Sequence, residues 1–416
     1  MSISFPKAPA FQYRDFQSLW LTRLTSAMAL NAQAVIVGWQ VYKLRPDPLL
    51  LGLIGLTEAI PAIASSFVAG HVVDSNRPVS VYRWALFAMF LNSILLWLAI
   101  WEKIPFDESQ RISLLFVGVF ISGAARSFAS PSVYSLVPRI VPREMLGSAS
   151  AWNSSAWQFA AIVGPALGGL AYDEYGAKIA FTIPIVLVMI GMGLSYTFTN
   201  RIRQFKSDHQ REPYFQSLKA GIKFAFGHQV LLSTMVLDMF SVLFGGAVAV
   251  LPVFADQVFG TGSKGLGFLR AAPSMGSVVV ALWLAMKPMK VISGKTLLLV
   301  VAGFGFTMIG FAVSGHFVLA FIFLVASGAF DGISMVIRMT LLQILAPEHM
   351  RGRIAALSSV FITSSNEIGA FESGVAARFL GLIPSVLFGG TMTLVVVVAT
   401  WIKVPALART RIDQNA

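Results

Sequence analysis

Nine ionisable side chains stand inside stretches of this chain that are otherwise apolar enough to lie in lipid: Arg23, Glu58, Arg126, Asp238, Arg270, Asp331, Arg338, Glu367 and Glu372. A charge near a bilayer centre costs about 2.5–3.5 kcal/mol on insertion scales, so such groups face a polar cavity or pair with one another. Their chemistry is the binding of a charged solute, the relay of protons, or an interhelical ion pair used for packing. Depth sorts them. At about 1.5 Å per helical residue, Arg23, Arg126, Asp238 and Arg338 lie roughly 10–13 Å from one membrane face. Asp331 and Glu367 lie about 20 Å in by the same count, and Glu58 falls near mid-membrane. A carboxylate withdrawn from water loads a proton more readily, whereas an adjacent arginine holds it ionised. Asp331, Glu367 and Glu58 are the candidates for proton coupling, while Asp238 and Arg338, at similar depth, are expected to pair.

The elements that must position these residues are membrane helices. The chain of 416 residues is 56% hydrophobic and 12% charged, with a mean hydropathy of +0.74, which is far from the balance of soluble domains. Runs of about 20 apolar residues suffice to cross the hydrocarbon core. Twelve can be read: 16–42, 49–72, 82–101, 113–136, 146–172, 178–199, 229–256, 264–287, 293–313, 315–345, 352–381 and 383–405. The fold expected is all-α and integral to the membrane, with twelve transmembrane helices in two pseudo-symmetric six-helix halves. Half of the chain repeats the other. With Ser122-Gly123-Ala124 set over Ser327-Gly328-Ala329, an offset of 205, Pro142 falls on Pro347, Gly147 on Gly352, Gly164 on Gly369, Gly169 on Gly374 and Gly176 on Gly381. Parallel repeats of hydrophobic helices mark transporters that rock one half against the other. The same register pairs Arg126 with Asp331, and a second one, on Pro61 and Pro273, pairs Glu58 with Arg270. Opposite charges at related positions predict a basic first half and a more acidic second.

The net charge of +12 does not point to nucleic acid, because its placement is topogenic. With the N-terminus inside, the inner loops hold residues such as Arg77, Arg83, Arg139, Arg143, Arg201, Arg203, Lys287, Lys290, Lys295, Lys403, Arg409 and Arg411. The outer loops hold only Lys43, Arg45, Lys103, Arg111, Lys178 and Lys264. This asymmetry orients every span, with both termini cytoplasmic and the protein multi-pass in the cell inner membrane. Residues 1–15 carry Lys7, Arg14 and Asp15 and are not expected to act as a cleaved signal peptide. Residues 1–199 form an N-terminal half, 200–228 a basic linker with an amphipathic segment at about 214–226, and 229–416 a C-terminal half. There is no cysteine. The five histidines show no metal-ligand spacing, and no phosphate-cradling Gly-x-x-x-x-Gly-Lys loop or nucleophile motif occurs. Neither an enzyme nor a cofactor or metal is expected.

The turn after the second span reads Gly70-His71-Val72-Val73-Asp74-Ser75-Asn76-Arg77-Pro78, with Arg83 beyond it. It resembles the inner-loop signature of the major facilitator superfamily, Gly-x-Leu-Ala-Asp-Arg-x-Gly-Arg-Arg, although Ser75 and Pro78 replace two of the arginines. The resemblance implies that Gly70 allows close helix approach and that Asp74 latches an inner gate with Arg77 or Arg83; the plainer alternative is a polar turn with an N-cap aspartate. Gly164-Pro165-Ala166-Leu167-Gly168-Gly169 on the fifth span resembles the superfamily's exporter motif. Its proline removes a backbone donor and its glycines permit tight helix contact, so a hinge at Pro165 packed against the eighth span is expected, passive packing being the alternative.

The stretches "LWLTRLTSAM", "VGWQVYKL", "LLGLIGLTEAIPAIASSFVAGHVVD", "GAARSFASPSVYSLVPRIVPREMLGSASAWNSS" and "LLQILAPEHMRGRIAAL" resemble the branch of that superfamily that includes the enterobactin exporter and macrolide efflux proteins. The resemblance implies alternating access and proton-driven antiport that exports a small organic molecule, with spans one, four, seven and ten lining the cavity, so that Arg23, Arg126, Asp238 and Arg338 are its candidate substrate-cavity residues. In family antiporters an arginine precedes a fourth-span glycine by four residues; that position here is Val119, and Arg126 lies two turns deeper. Siderophore-like and amphipathic drug-like substrates both fit. Besides its substrate, the expected partners are protons and the lipid bilayer, with the protein working as a monomer. A receptor or scaffold that keeps the fold without transport is the other class.

Overall fold

The computed structural model describes residues 9–75, 77–198, 222–347 and 350–413. Twelve principal helices follow one another: α1 (Arg14–Leu44), α2 (Pro48–Ser75), α3 (Pro78–Ala99), α4 (Glu108–Ile140), α5 (Leu146–Ala180), α6 (Thr182–Ser195), α7 (Gln229–Gly245), α8 (Gly262–Met286), α9 (Gly294–Val313), α10 (Phe317–Leu345), α11 (Arg351–Leu380) and α12 (Leu382–Lys403). Among the described residues eight spans pass on length and apolarity alone, and α5 with α6 passes as a bent pair. The remaining two, α1 and α11, are 31 and 30 residues long but carry Arg14, Asp15, Arg23 and Lys43, and Glu367, Glu372 and Arg378 along with further cations. Polar residues on a spanning helix must face protein or a wet cavity. The intramembrane charges of these two helices, Arg23, Glu367 and Glu372, must therefore meet protein or a polar cavity.

By its contacts the chain divides into two compact units, one of residues 1–40 and 60–208, the other of residues 41–59 and 209–416. Of the expected basic linker, residues 199–221 lie outside the described residues. Residues 222–227 are helical, and Ala225 is buried with Leu231, Met235, Leu342 and Leu357.

In the first unit α3 lies close on α4, where Leu96 and Asn92 crowd the space above Gly118. A buried polar network ties three helices together. Gln33 Nε2 and Asn92 Nδ2 donate to Ser122 Oγ at 2.7 and 2.8 Å, and Ser93 Oγ donates to Gln33 Oε1 at 3.3 Å. Without water to satisfy them, such side chains must find partners on neighbouring helices. The turn into α4 is organised by Asp107, which accepts from Gln110 N at 2.7 Å in a reciprocal capping box, and by Arg111, whose guanidinium donates to the carbonyls of Ala99, Ile104 and Phe106. The turn between α3 and α4 is thus held by one cap and one cation.

The glycines of α5 meet α1. A Cβ on Gly164 would stand 2.8 Å from Met28 O, and one on Gly168 2.8 Å from Ala32 O. The expected partner was the eighth span; these glycines instead serve packing inside their own unit. The backbone stays helical at Pro165, and the interruption comes at Gly176, with φ 76° and ψ 175°. The cause is steric: only glycine adopts that conformation without strain, whereas proline within a helix removes one hydrogen bond and leaves its torsions helical. We predict that Gly168→Leu forces α1 and α5 apart and lowers stability by about 1–3 kcal/mol or more, as overpacking does, while Gly147→Ala, where no atom lies within 4 Å, is neutral. Thermal unfolding in detergent checks both.

The second unit repeats this plan. Gly381, 205 residues after Gly176, turns the chain between α11 and α12 with φ 95° and ψ 163°. Gly369, the counterpart of Gly164, faces the carbonyls of Val242 and Leu243 on α7 at 3.0 and 2.8 Å from its missing Cβ. So α11 sits on α7 as α5 sits on α1. Helices α8 and α10 approach backbone to backbone, Gly276 against Val325 and Gly328 against Pro273. Residues 41–59 join this unit because Gly52 lies on Gly374, where an added Cβ would be 3.0 Å from the Gly374 Cα, and Gly55 lies on Ala370. Small residues one turn apart let membrane helices touch through their backbones.

The seventh span is discontinuous. Helix α7 stops at Gly245, and residues 248–258 pass through a 3₁₀ turn, one α turn and a π turn. Ser373 Oγ donates to the freed Gly246 carbonyl, and Tyr42 Oη donates to Asp256 Oδ2 at 2.9 Å. Irregular backbone at membrane depth needs such protein partners.

Candidate functional site

In the second unit Arg338 of α10 joins two carboxylates. Its Nη1 is bonded to Asp238 Oδ2 of α7, and its Nη2 lies 3.7 Å from Asp331 Oδ1. The spacing of Asp331 and Arg338, seven residues or about two helical turns, puts both on one face of α10. Burial separates their roles. The Asp238 and Arg338 side chains are 6% and 12% exposed, that of Asp331 49%. The expected Asp238–Arg338 pair is present, and Asp331 is the looser, half-exposed member. Arg338 Nε is buried without a hydrogen-bond partner.

A second group has the same composition. Arg270 of α8 feels the charges of Glu58 on α2 and Glu367 on α11. The Glu367 carboxylate lies over Gly55, 3.7 Å from where a Cβ would be, one helical turn from Glu58. The absence of a side chain at Gly55 is what lets α11 bring Glu367 to this position. Each group holds one guanidinium and two carboxylates, a formal charge of −1 when all are ionised. Glu372, the remaining intramembrane acid, lies half-buried on α11 beside Ser373.

In the first unit the cations predominate. The Arg23 guanidinium on α1 lies 5.6 Å from the centroid of the Tyr134 ring on α4, a cation–π distance, and its Nε is buried with no hydrogen-bond partner. Close by, Trp20 Nε1 donates to Trp152 O at 2.8 Å, and Phe11 packs edge-on against Trp152 at 4.9 Å. Arg126 is half-buried on α4, and its neighbour Ser127 hydrogen-bonds Ser65 of α2 at 2.5 Å. Tyr134 was not singled out in the sequence. The available signal was its place eight residues after Arg126, about 80° around the helix from it, and a lone tyrosine in an apolar helix carries little information.

For the inner-loop motif, the surroundings of Gly70 and the side chain of Asp74 lie outside the described residues. Arg77 is exposed at the start of α3 and makes no side-chain capping bond there. Arg83 donates from Nη2 and Nε to Ser195 O at 2.8 and 3.2 Å and stacks over Tyr196 at 4.6 Å. It caps the Ser195 carbonyl at the end of α6, as cations at helix C-termini do.

The model of the Major Facilitator Superfamily matches residues 19–370, which spans α1 to most of α11 and includes every intramembrane charge except Glu372. The chain belongs to the major facilitator superfamily. It is a multi-pass membrane transporter of the superfamily's twelve-helix fold, with two pseudo-symmetric halves of six helices, and its substrate is a small molecule. The enterobactin exporter EntS of Shigella boydii serotype 4 (strain Sb227) is 23% identical over 410 residues, 95% of this chain and 93% of that protein. The enterobactin exporter EntS of Escherichia coli O6:K15:H31 (strain 536 / UPEC) is similar at the same identity and coverage. Among solved structures, the inward-open xylose transporter XylE from E. coli superposes with a TM-score of 0.71 at 14% identity, over 94% of this chain and 96% of that one. A peptide transporter POT reaches a TM-score of 0.77 at 13% identity, over 95% of each chain. At such identities these structures speak to the superfamily fold alone.

Proposed function

We propose that this transporter exports an anionic, siderophore-like small molecule across the cell inner membrane by alternating access, driven by proton entry. The observation that carries the reading is the division of charge between the units. Arg23 offers a buried, unpartnered Nε beside an aromatic ring, a setting suited to a phenolate or carboxylate on an aromatic frame. Asp331 stands 3.7 Å from a guanidinium already engaged by buried Asp238. A carboxylate so placed can lose its claim on the arginine and take a proton without leaving a cation stranded. Glu367 and Glu58 both act electrostatically on Arg270, so protonation of one leaves the charge of the other to balance the guanidinium. The reading is consistent with the named activity of the enterobactin exporters that this chain resembles. The cation-rich loops support an orientation with both termini in the cytoplasm.

The test is efflux and proton flux in proteoliposomes, with a tricatecholate siderophore and a lipophilic cationic drug as alternative substrates. Siderophore efflux accompanied by proton influx supports the proposal. Efflux of the drug alone moves the substrate class to amphipathic drugs, and movement of neither favours a receptor that retains the fold. Arg23→Gln is expected to weaken binding of the anionic substrate by about tenfold or more, the loss of a charge-assisted hydrogen bond of roughly 1.5–3 kcal/mol, with binding of an uncharged analogue unaltered.

A further inference from the structure

The end of the second unit where α8 stops, α9 starts and α12 stops carries an unusual tail. After α12 a short helix, Pro405–Arg409, leads into the strand Arg411–Asp413, which pairs antiparallel with Val291–Ser293. The Gly294 amide donates to Thr410 O at 3.0 Å, and Gly294 has no side chain because the Leu407 carbonyl occupies that space. Ile292 and Leu407 are buried in one core with Leu237, Leu297, Leu298, Ile337 and Leu341. Alternation along a strand sends neighbours to opposite faces. With Ile412 partly buried against that core, Arg411 is turned outward and exposed.

The consequence is a cluster that chain order alone would not make. Lys287, Lys290 and Lys295 come from the α8–α9 connection, Lys403, Arg409 and Arg411 from the tail, and all six are exposed. The register sets Arg411 opposite Ser293, two residues before Lys295. Asp413 is the one acid in these two segments. Topology requires only that loops be basic; it does not require the tail to be folded back on to the loop. Gathering six cations costs mutual repulsion, which a bound anion offsets. Directly above the cluster the helices present Trp283 and Trp401, 49% and 42% exposed, with Met286 and Ile402 at 76% and 72%. Exposed tryptophans beside cations mark the level of the headgroups.

We propose that this tail-and-loop patch is a binding site for anionic phospholipid, the phosphodiester held by Lys290, Lys295 and Arg411 and the acyl chains lying along Trp283 and Trp401. Basic pockets at the ends of membrane helices recognise such headgroups. The site is independent of the transported substrate.

The experiment uses the full-length protein in nanodiscs of phosphatidylcholine, with and without phosphatidylglycerol, and reads thermal unfolding together with co-purified lipid by native mass spectrometry. Wild type is expected to be stabilised by phosphatidylglycerol and to retain it. Each cation near an anionic surface strengthens binding about fivefold, so the triple variant Lys290→Gln, Lys295→Gln, Arg411→Gln should retain it on the order of a hundredfold more weakly. A control variant, Arg14→Gln, Arg139→Gln, Arg143→Gln, should behave as wild type. Equal loss in the control would show diffuse electrostatics and overturn the proposal, as would undiminished retention in the triple variant. Stabilisation by inorganic phosphate in phosphatidylcholine alone, matching that by phosphatidylglycerol, would overturn the lipid assignment. If the triple variant unfolds in every nanodisc, lipid retention by Arg411→Gln alone decides, expected to be about fivefold weaker than wild type and, if unchanged, contrary to the proposal.

Discussion

Asp331→Asn is expected to reduce substrate-driven proton influx into proteoliposomes to the passive leak, while substrate still binds and exchanges across the membrane. The reason lies in how Arg338 is shared. Its strong partner is the buried Asp238, so removing the charge of Asp331 leaves an intact ion pair and a normally folded second unit. What disappears is the one half-exposed carboxylate of that group. A coupling free energy of about 1–3 kcal/mol corresponds to roughly 5–150-fold in the linked equilibrium, so the loss should be unmistakable. Glu367→Gln is the companion experiment for the Arg270 group, where the charge of Glu58 still acts on the arginine. If both variants carry full substrate-driven proton flux, these acids are structural and the coupling group lies elsewhere.

Arg338→Gln has the opposite expected outcome: both stability and transport fall. Breaking a buried ion pair by removing one partner costs about 3–5 kcal/mol, because the remaining charge is left without compensation. Asp238 is that remaining charge, 6% exposed in its side chain. Combining Arg338→Gln with Asp238→Asn should recover most of the lost thermal stability, since two neutral amides need no counter-charge. Transport should stay impaired in the double variant, because Asp331 then has no cation to compete for. A double variant no more stable than Arg338→Gln would show that the pair is not the energetic unit, and would shift the cost to packing around Arg338.

Much of this architecture is readable without coordinates, for a local reason. A span is a property of about 20 consecutive residues, and a turn conformation is a property of one: Gly176 and Gly381, 205 residues apart, both take positive φ at the same place in their repeats. The intramembrane charges are equally visible, because each is an exception to its own surroundings. The pairing of Asp238 with Arg338 followed from equal depth, one coordinate out of three. Where neighbours across the fold decide, the sequence is silent. The glycines of α5 announce a close contact but not its partner, and the structure gives α1 rather than the eighth span.

Sequence by itself determined the medium, the number of helices, the internal repeat and the membership of the charged set, since each depends on residue type and spacing along one chain. Only the tertiary structure decided which carboxylates share which arginine, that Arg23 stacks on Tyr134 and that Arg83 caps α6. Those choices depend on the rotation of each helix about its axis, which is set by close packing against neighbours, and a shift of one residue would turn a charge about 100° away from its partner.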